Sequence, residues 1–214
     1  MRLKPSKKSV LRCLPGSMVW VTGPGKPHTS YLTFDDGPHA ECTPRLLDLL
    51  AEHGVKATFF VVGSAVELRP KIVQRIVAEG HVLGNHSWNH PHFSQLSIGE
   101  QMAEIDRCDE ILANFDGLQK HDFRPPRGEL SPKLMWLLWR QGRRVVYWSR
   151  DSMDYNKGPA DQLTKELACH GISAGDILLM HDDDDCARLM LGELLPLWHS
   201  RGMRFEALPM GRHT

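Results

Sequence analysis

Short apolar segments alternate with longer amphipathic segments along most of this 214-residue chain. The short segments have the length and composition of buried strands, and the longer ones repeat apolar residues every three or four positions, as helices do. A strand, a helix and a second strand in succession form a crossover that leaves both strands parallel. The pattern therefore predicts an α/β fold built on parallel strands. Seven strands are predicted, at residues 31–34, 57–62, 81–84, around Phe123, 145–148, 177–180 and 203–208.

The helices between these strands are marked by residues that favour helix ends. Thr43 and Pro44 precede a leucine-rich stretch that ends at Gly54, and Ser97 followed by Glu100 forms a capping box. Further helices are predicted at residues 70–80, 131–142, 161–169 and 187–200. Seven strand–helix units could close into a barrel or remain an open, doubly wound sheet, and periodicity alone fits both architectures.

The composition is that of a chain with one well-formed core. With 41% hydrophobic and 24% charged residues, it can bury enough apolar surface for a single domain. Residues 1–28 are predicted to be a basic lead-in segment, and residues 29–210 are predicted to form the domain. The 26 Lys and Arg residues balance 26 Asp and Glu residues, which argues against a nucleic-acid partner and against attraction of the whole chain to an anionic membrane. We expect the protein to be a monomer.

Five cysteines are scattered singly and show no CxxC spacing. They therefore indicate neither a disulfide framework nor a thiolate zinc site, and a reducing compartment fits them best. No apolar run near the basic amino-terminal residues is long enough for a signal-peptide core, and none approaches the length of a membrane span. From these observations we expect a cytoplasmic protein without an integral membrane segment.

Reactive side chains follow the carboxyl ends of five predicted strands. In a parallel sheet or barrel these ends open on one rim, where such folds have their active sites. We therefore expect one site built from five separate segments. Its candidate members are Asp35 and Asp36 after the first strand, His86 and His90 after the third, Arg124 after the fourth, Asp151 and Asp154 after the fifth, and His181 after the sixth.

The spacing of two histidines suggests a metal site. His86 and His90 are four residues apart, so both imidazoles can face one point if this segment forms a helical turn. With Asp36 as the third ligand they would leave a position open for water, which is the usual arrangement around a catalytic divalent metal. The alternatives are a pair of surface histidines and a solvated Asp-Gly turn, both of which are common in isolation. The position of these residues at strand ends favours the metal site.

The segments TFDDG, HSWNH, RPPRG, DSMDY and LLMHD occur in the order and spacing of a known family. Together they resemble the motifs of carbohydrate esterase family 4, the polysaccharide deacetylases that share the NodB homology domain. The resemblance extends over residues 29–210 and is strongest to the short chitooligosaccharide deacetylases, in the stretch YLTFDDGPHAECTPRLLDLLAEHGVKATFFVVG. It implies a distorted (β/α)7 barrel in a single catalytic domain, and so selects the barrel over the open sheet.

The resemblance also implies a role for each reactive residue. Hydrolysis of an acetamide needs an activated water, stabilisation of the oxyanion and a proton for the leaving amine, and the implied set supplies all three. Arg124 would keep the Asp35 carboxylate ionised, and Asp154 would keep the His181 imidazole protonated. By this resemblance Asp35 is the general base and is oriented by Arg124, His181 is the general acid and is oriented by Asp154, and Leu179 is part of the acetyl pocket. The resemblance also makes Asp36, His86 and His90 the ligands of one divalent ion, which is usually Zn²⁺, with Co²⁺, Ni²⁺ or Mn²⁺ as alternatives.

Two positions depart from the usual motifs of the family. Arg127 stands where the family usually has Tyr, and Tyr155 stands where it usually has Trp. The family uses the backbone N–H at the first position to bind the oxyanion, so the exchange to Arg is compatible with catalysis. A guanidinium at the rim favours a carboxylate or phosphate on the substrate, which chitin fragments lack. We expect Arg127, Tyr155 and Trp88 to contact substrate, with a surface Arg127 paired to Glu129 or another rim acid as the alternative.

The predicted function is removal of N-acetyl groups from an acetamido sugar in an oligosaccharide, a polysaccharide or a lipid-linked glycan precursor. Two alternatives are an amidase that acts on a small non-sugar amide and an inactive relative that only binds carbohydrate. All reactive residues of the implied site are present, which argues against the inactive relative. A glycoside hydrolase that relies on two carboxylates would leave His86 and His90 without a role.

Overall fold

The computed structural model describes residues 7–156 and 159–210, so the first six residues of the predicted lead-in lie outside it. Its strands are β1 (Val19–Trp20), β2 (Thr29–Asp35), β3 (Thr58–Val61), β4 (Val82–Asn85), β5 (Val145–Val146), β6 (Arg150–Asp151), β7 (Ile177–His181) and β8 (Arg204–Phe205). Its helices are α1 (Lys7–Leu11), α2 (Cys42–Glu52), α3 (Gly63–Leu68), α4 (Pro70–Ala78), α5 (Ile98–Asp116), α6 (Pro132–Arg140), α7 (Ala160–His170) and α8 (Cys186–Ser200). Helices separate most consecutive strands, as the sequence pattern predicted.

Parallel pairing joins five strands in the order β4, β3, β2, β7, β6. The remaining gap is closed by Phe123, which forms parallel bridges to Asn85 at the end of β4 and to Val145 at the start of β5. Residues 145–151 therefore connect the two ends of this strand order: β5, at the start of the segment, adjoins Phe123, and β6, at its end, pairs with β7. The strands form a closed ring, and the predicted distorted barrel in a single α/β domain is confirmed.

The central strand explains the apolar sequence pattern. Every residue of β2 is buried, because strands flank it and helices cover it. Leu32 and Phe34 of β2 pack in the largest core cluster with Leu46 and Leu50 of α2. Each such fully buried side chain contributes about 1.5–3 kcal/mol to folding through removal of apolar surface from water. The predicted capping box of α5 is also present, with Ser97 and Glu100 each accepting from the backbone N–H of the other.

The described part of the lead-in segment packs against the barrel. Strand β1 pairs with β5, and Leu11, Val19 and Val21 join a core cluster that includes Phe123 and Leu134. The predicted domain boundary between residues 28 and 29 stays a prediction. All five cysteines have free thiols. Among the described residues, no helix is both long enough and apolar enough to cross a membrane.

Candidate active site

The carboxylates of Asp35 and Asp36 lie at the carboxyl end of β2. Asp35 is the last residue of the strand and is 3% exposed. Asp36 has a left-handed backbone with a φ of 74°, and this turn lets two adjacent carboxylates line the same cleft instead of pointing to opposite faces. A Cβ on the next residue, Gly37, would collide with the carboxylate of Asp182. Packing therefore requires the glycine that follows the two carboxylates.

His86 and His90 follow β4 on an irregular loop, and not on the helical turn that their spacing suggested. Ser87 and His90 have left-handed backbones, with φ values of 70° and 54°. Hydrogen bonds hold this shape: Ser87 N–H donates to Asn85 Oδ1 (2.8 Å), and His90 N–H donates to Ser87 Oγ (3.0 Å). Asn85 is itself anchored, because its Nδ2 donates to Asp109 Oδ1 (2.7 Å). The loop brings the two imidazole centroids to 5.0 Å from each other.

Asp36, His86 and His90 each direct one ligand atom to a common point, and these atoms lie within 4.8 Å of one another. Asp36 Oδ1 is 3.4 Å from His86 Nε2 and 3.3 Å from His90 Nε2. Tetrahedral Zn²⁺ ligands at ~2.0–2.1 Å from the ion are about 3.3 Å from each other, so the observed spacings fit such an ion. His86 Nδ1 is 2.7 Å from the Arg124 carbonyl oxygen, which places the ring proton on Nδ1 and leaves Nε2 as a ligand.

A buried carboxylate oxygen that accepts no hydrogen bond also supports a metal site at this point. Within residues 7–156 and 159–210, Asp36 Oδ1 is buried and accepts no hydrogen bond. Burial alone would raise the pKa of Asp36, but contact with His86 and the positive fields of His86, His90 and His181 outweigh it and lower the pKa. Burial, together with the field of His86, lowers the pKa of His90 to about 4. At neutral pH Asp36 is thus a carboxylate and His90 a neutral imidazole, the forms that bind divalent cations.

Arg124 lies beneath Asp35 and has no exposed surface. Its Nη1 donates to Asp35 Oδ1 and to Thr33 Oγ1, both at 2.7 Å. Its Nε and Nη2 donate to the carbonyl oxygens of Val146 (3.2 Å) and Tyr147 (3.1 Å). A buried guanidinium is tolerated when acceptors and an opposite charge surround it, as they do here. The expected contact between Arg124 and Asp35 is present, and it fixes the orientation of that carboxylate.

Asp154 holds His181, which ends β7 in register with Asp35 of β2. Asp154 Oδ1 lies 2.7 Å from His181 Nδ1, and Oδ2 accepts from the His181 backbone N–H at 2.8 Å. Burial would lower the pKa of His181, but the hydrogen bond and charge of Asp154, with the charges of Asp35 and Asp36, raise it to about 9. His181 is therefore an imidazolium at neutral pH, and its Nε2 is free of the Asp154 contact.

A single cleft of about 380 Å³ brings these groups together. Two predicted substrate-binding residues also line it: Leu179 on β7, and Tyr155, whose ring centroid is 5.4 Å from that of His181. Two further residues line the cleft: Asp151, one of the strand-end candidates, and Trp148, whose Nε1 donates to Asp151 Oδ2 (2.9 Å). Trp148 lies two residues after β5 and Asp151 is the last residue of β6, so both stand near strand ends, the signal by which the sequence marked Asp151. The full lining is Asp35, Asp36, His86, His90, Pro125, Arg127, Gly128, Trp148, Asp151, Tyr155, Leu179 and His181.

Arg127 lines the cleft and is exposed. Its Nη1 lies 3.2 Å from His90 Nδ1 and donates to the His90 carbonyl oxygen at 3.4 Å. The alternative pairing with Glu129 is not formed, since Glu129 accepts from Ser94 and contacts His92 instead. Arg127 therefore places a positive charge at the mouth of the cleft.

Trp88 does not line the cleft with the other predicted substrate-binding residues. It is 6% exposed, and a Cβ on Gly63 would meet its ring at 2.5 Å. The Arg107 guanidinium covers the indole at 3.7 Å from the ring centroid. Because its neighbours enclose the ring, the Trp88 side chain anchors the His86–His90 loop to the scaffold and does not face the cleft.

Asp182 is buried, although a run of four aspartates suggests a solvated loop. It is 1% exposed and accepts a hydrogen bond from Thr43 Oγ1. Burial and the neighbouring charges of Asp36, Asp183 and Asp35 raise the pKa of Asp182 to about 7. Its backbone N–H donates to the Asp35 carbonyl oxygen (3.3 Å), so Asp182 packs directly behind the two cleft carboxylates.

Comparison with known proteins agrees with this geometry. The family described as "Polysaccharide deacetylase" matches residues 22–146. The chain is 37% identical to the peptidoglycan-N-acetylglucosamine deacetylase of Bacillus cereus, over 88% of this chain and 70% of that protein. It is 34% identical to the chitooligosaccharide deacetylase of Sinorhizobium fredii, over 93% of this chain and 96% of that protein. The peptidoglycan-N-acetylglucosamine deacetylase PgdA of Listeria monocytogenes is 36% identical over 83% of this chain, which spans only 37% of that protein.

A solved structure extends the likeness to three dimensions. The crystal structure of the peptidoglycan N-acetylglucosamine deacetylase Bc1960 in complex with 4-naphthalen-1-yl-N-oxidanyl-benzamide superposes with a TM-score of 0.85. It is 35% identical in sequence and covers 90% of this chain and 91% of its own. The barrel, the motif order and these relatives lead to one assignment: this chain belongs to the polysaccharide deacetylase family, which contains the NodB homology domain.

Proposed function

We propose that this protein is a metal-dependent hydrolase that removes the N-acetyl group from an acetamido sugar in an oligosaccharide or polysaccharide. One observation carries the proposal: the cleft is lined by a carboxylate that a buried guanidinium holds from behind, by a three-ligand cluster and by an imidazolium that a second carboxylate holds. Acetamide hydrolysis needs a base, charge stabilisation and an acid, and these groups match the three requirements. Membership of the deacetylase family supports the same class of reaction.

Asp35 is the proposed general base. Arg124 holds its Oδ1, while Oδ2 lies 3.8 Å from His86 Nε2 and so faces the three-ligand cluster. A water molecule between Oδ2 and the cluster would transfer a proton to Asp35 as it attacks the acetamide carbonyl carbon. A divalent ion held by Asp36, His86 and His90 would supply Lewis-acid polarisation of the carbonyl and of the attacking water.

His181 is the proposed general acid. Its pKa of about 9 keeps the imidazole protonated at neutral pH, and Asp154 fixes the ring through Nδ1. Nε2 would donate its proton to the leaving nitrogen as the C–N bond breaks, which releases the sugar as an amine. Since one water is consumed, the second product is acetate. The reaction needs no acylated side chain, and the cleft presents no serine or cysteine nucleophile among its lining residues.

The cleft walls suit a sugar. Trp148 and Tyr155 offer aromatic faces beside the reactive groups, and Leu179 offers an apolar surface for the acetyl methyl. Arg127 adds a positive charge at the mouth, which favours an acetamido sugar with a carboxylate or phosphate nearby. The chitooligosaccharide and peptidoglycan activities named for the relatives are the two substrate classes to compare first.

The test combines metal analysis with acetate release. Purified protein is expected to hold about one divalent ion and to release acetate from chitooligosaccharides, peptidoglycan fragments or anionic acetamido sugars. The double substitution of His86→Ala and His90→Ala should remove both metal and activity, whereas His92→Ala, at an exposed histidine outside the cluster, should leave both unchanged. Stoichiometric metal in the double variant would overturn the ligand assignment. Hydrolysis of non-sugar acetamides alone would favour the amidase, and metal binding without any turnover would favour the inactive relative.

The cytoplasmic location and the monomeric state stay predictions. Fractionation of cells that express the native gene tests the first, and light scattering of the purified chain tests the second. Recovery in a secreted fraction would contradict the first, and a mass of twice the 24.3 kDa chain would contradict the second.

A further inference from the structure

Two tryptophans are exposed on the outer face of α6. Trp136 is 49% exposed and Trp139 is 42% exposed, whereas indoles are usually well covered in folded proteins. Since a tryptophan presents up to ~250 Å² of surface, the two side chains together expose roughly 200 Å². The indoles are three residues apart and lie on neighbouring turns of one helix.

The inner face of α6 fixes the direction of these indoles. Leu134 and Leu138 are fully buried and belong to the same core cluster as Phe123. Successive residues of a helix are about 100° apart, so Trp136 points almost directly away from the two leucines and Trp139 lies on the same outer side. Packing within the described protein therefore gives no reason for indoles at these positions.

Basic residues share this outer face. Lys133 and Arg140 are exposed, and the Arg140 guanidinium lies 5.1 Å from the Trp136 ring centroid. Residues 131–149 contain no Asp or Glu, in a chain whose net charge is zero. The outer face of α6, defined by Lys133, Trp136, Trp139 and Arg140, is thus locally positive, even though the whole-chain balance argues against general attraction to anionic surfaces.

We propose that the outer face of α6 docks on the surface of an anionic phospholipid bilayer. Trp136 and Trp139 would lie at the level of the headgroups, where indoles are enriched, and Lys133 and Arg140 would face the lipid phosphates. A stable protein partner usually covers about 800 Å² on each side, roughly four times the exposed indole surface. A neutral glycan could stack on the indoles but would leave the two cations without counter-charges. This docking is independent of the proposed catalytic function.

Vesicle co-sedimentation of the full chain tests the docking. The protein should pellet with vesicles that contain phosphatidylglycerol, should remain in solution with pure phosphatidylcholine, and should dissociate as salt is raised. Trp136→Ser with Trp139→Ser should abolish pelleting. Lys133→Gln with Arg140→Gln should weaken partition about 30-fold at low salt, because each basic residue contributes about a factor of five near an anionic surface.

The matched control is Leu68→Ser, because Leu68 is 74% exposed on α3 and lies outside this face. This variant should pellet as the unmodified protein does, and circular dichroism should give all variants the same melting profile. The proposal would be overturned if the unmodified protein did not pellet with phosphatidylglycerol vesicles, or if Leu68→Ser reduced pelleting as much as the tryptophan substitutions do. Tryptophan-dependent dimers in light scattering, or tryptophan-dependent binding of neutral chitooligosaccharide without vesicle binding, would assign the face to another occupant.

Discussion

Replacement of Asp154 by Asn tests how Asp154 affects the protonation of His181, separately from how it affects the position of the imidazole ring. In the structure, Asp154 accepts from the backbone N–H and contacts Nδ1 of His181, and its charge is a main cause of the raised pKa. Asn keeps the size of the side chain and one acceptor oxygen but removes the charge. We expect the pKa of His181 to fall from about 9 toward its ordinary value of 6.5, since burial is then opposed only by the charges of Asp35 and Asp36.

The size of the effect depends on pH. With a pKa of about 9, roughly 90% of His181 is protonated at pH 8, and with a pKa of 6.5 only about 3% is protonated. Loss of the general acid therefore lowers kcat/KM by about 30-fold at pH 8. At pH 6 both forms are mostly protonated, and the same calculation gives a loss below about 1.5-fold. A displaced or destabilised imidazole would instead reduce activity by a similar factor at both values.

The assay is acetate release measured as kcat/KM between pH 6 and 10, for the unmodified enzyme and Asp154→Asn. The alkaline limb should move to lower pH in the variant. Asp151→Asn is the matched control, because Asp151 lines the same cleft but is hydrogen-bonded to Trp148 and makes no contact with His181 among the described hydrogen bonds. Parallel pH profiles for the unmodified enzyme and Asp154→Asn would refute the assignment of His181 as the acid.

Three further outcomes are expected. Asp35→Asn should reduce kcat by ~100-fold to 10,000-fold and leave the divalent metal content unchanged, and loss of the metal would show that Asp35 is a ligand. Arg127→Tyr should lower the ratio of kcat/KM for anionic acetamido sugars to kcat/KM for neutral ones by about 10-fold to 150-fold. An unchanged ratio would contradict a contact between Arg127 and an anionic group of the substrate. Although burial would lower the pKa of His121, hydrogen bonds with Asp109 and Asp116 raise it to about 9. Protonated His121 therefore stabilises the fold fully below pH 6.5, and this stabilisation is lost as pH rises through 9. In the unmodified protein the free energy of unfolding, measured with urea, should therefore fall by an amount on the order of 3 kcal/mol as pH rises over that range, and His121→Gln should remove this fall. A variant that shows the same fall would refute the role of His121.

Local periodicity predicts most helices and strands of the barrel, but the two-residue strands β1 and β6 lie outside the predicted strands. Strand β2 and the α5 capping box both appear where the sequence suggested. The segment around Phe123 is the limit of this approach, since it contributes a single bridging residue to the ring. A strand of one residue has no periodicity, and only its place between two helices marks it.

The candidate site was predictable in membership but less so in geometry. Strand ends identify which residues meet, because parallel strands share one rim. They do not specify the backbone that turns a side chain inward, and the left-handed φ values of Asp36, Ser87 and His90 are non-glycine cases that composition does not signal. Burial of Trp88 likewise depends on the absent side chain of Gly63, which lies on a different element.

Barrel closure and orientation of the base depend on the same side chain. The ring is weakest at Phe123, where single bridges replace a paired strand. The next residue, Arg124, donates to Thr33 and Asp35 of β2 and to carbonyl oxygens at and after the end of β5, so its guanidinium joins opposite walls of the barrel across this joint. Removal of Arg124 would leave Asp35 as a buried carboxylate without its cationic partner, an effect that commonly costs 3–5 kcal/mol. The side chain that orients the proposed base is therefore also part of what holds the barrel closed.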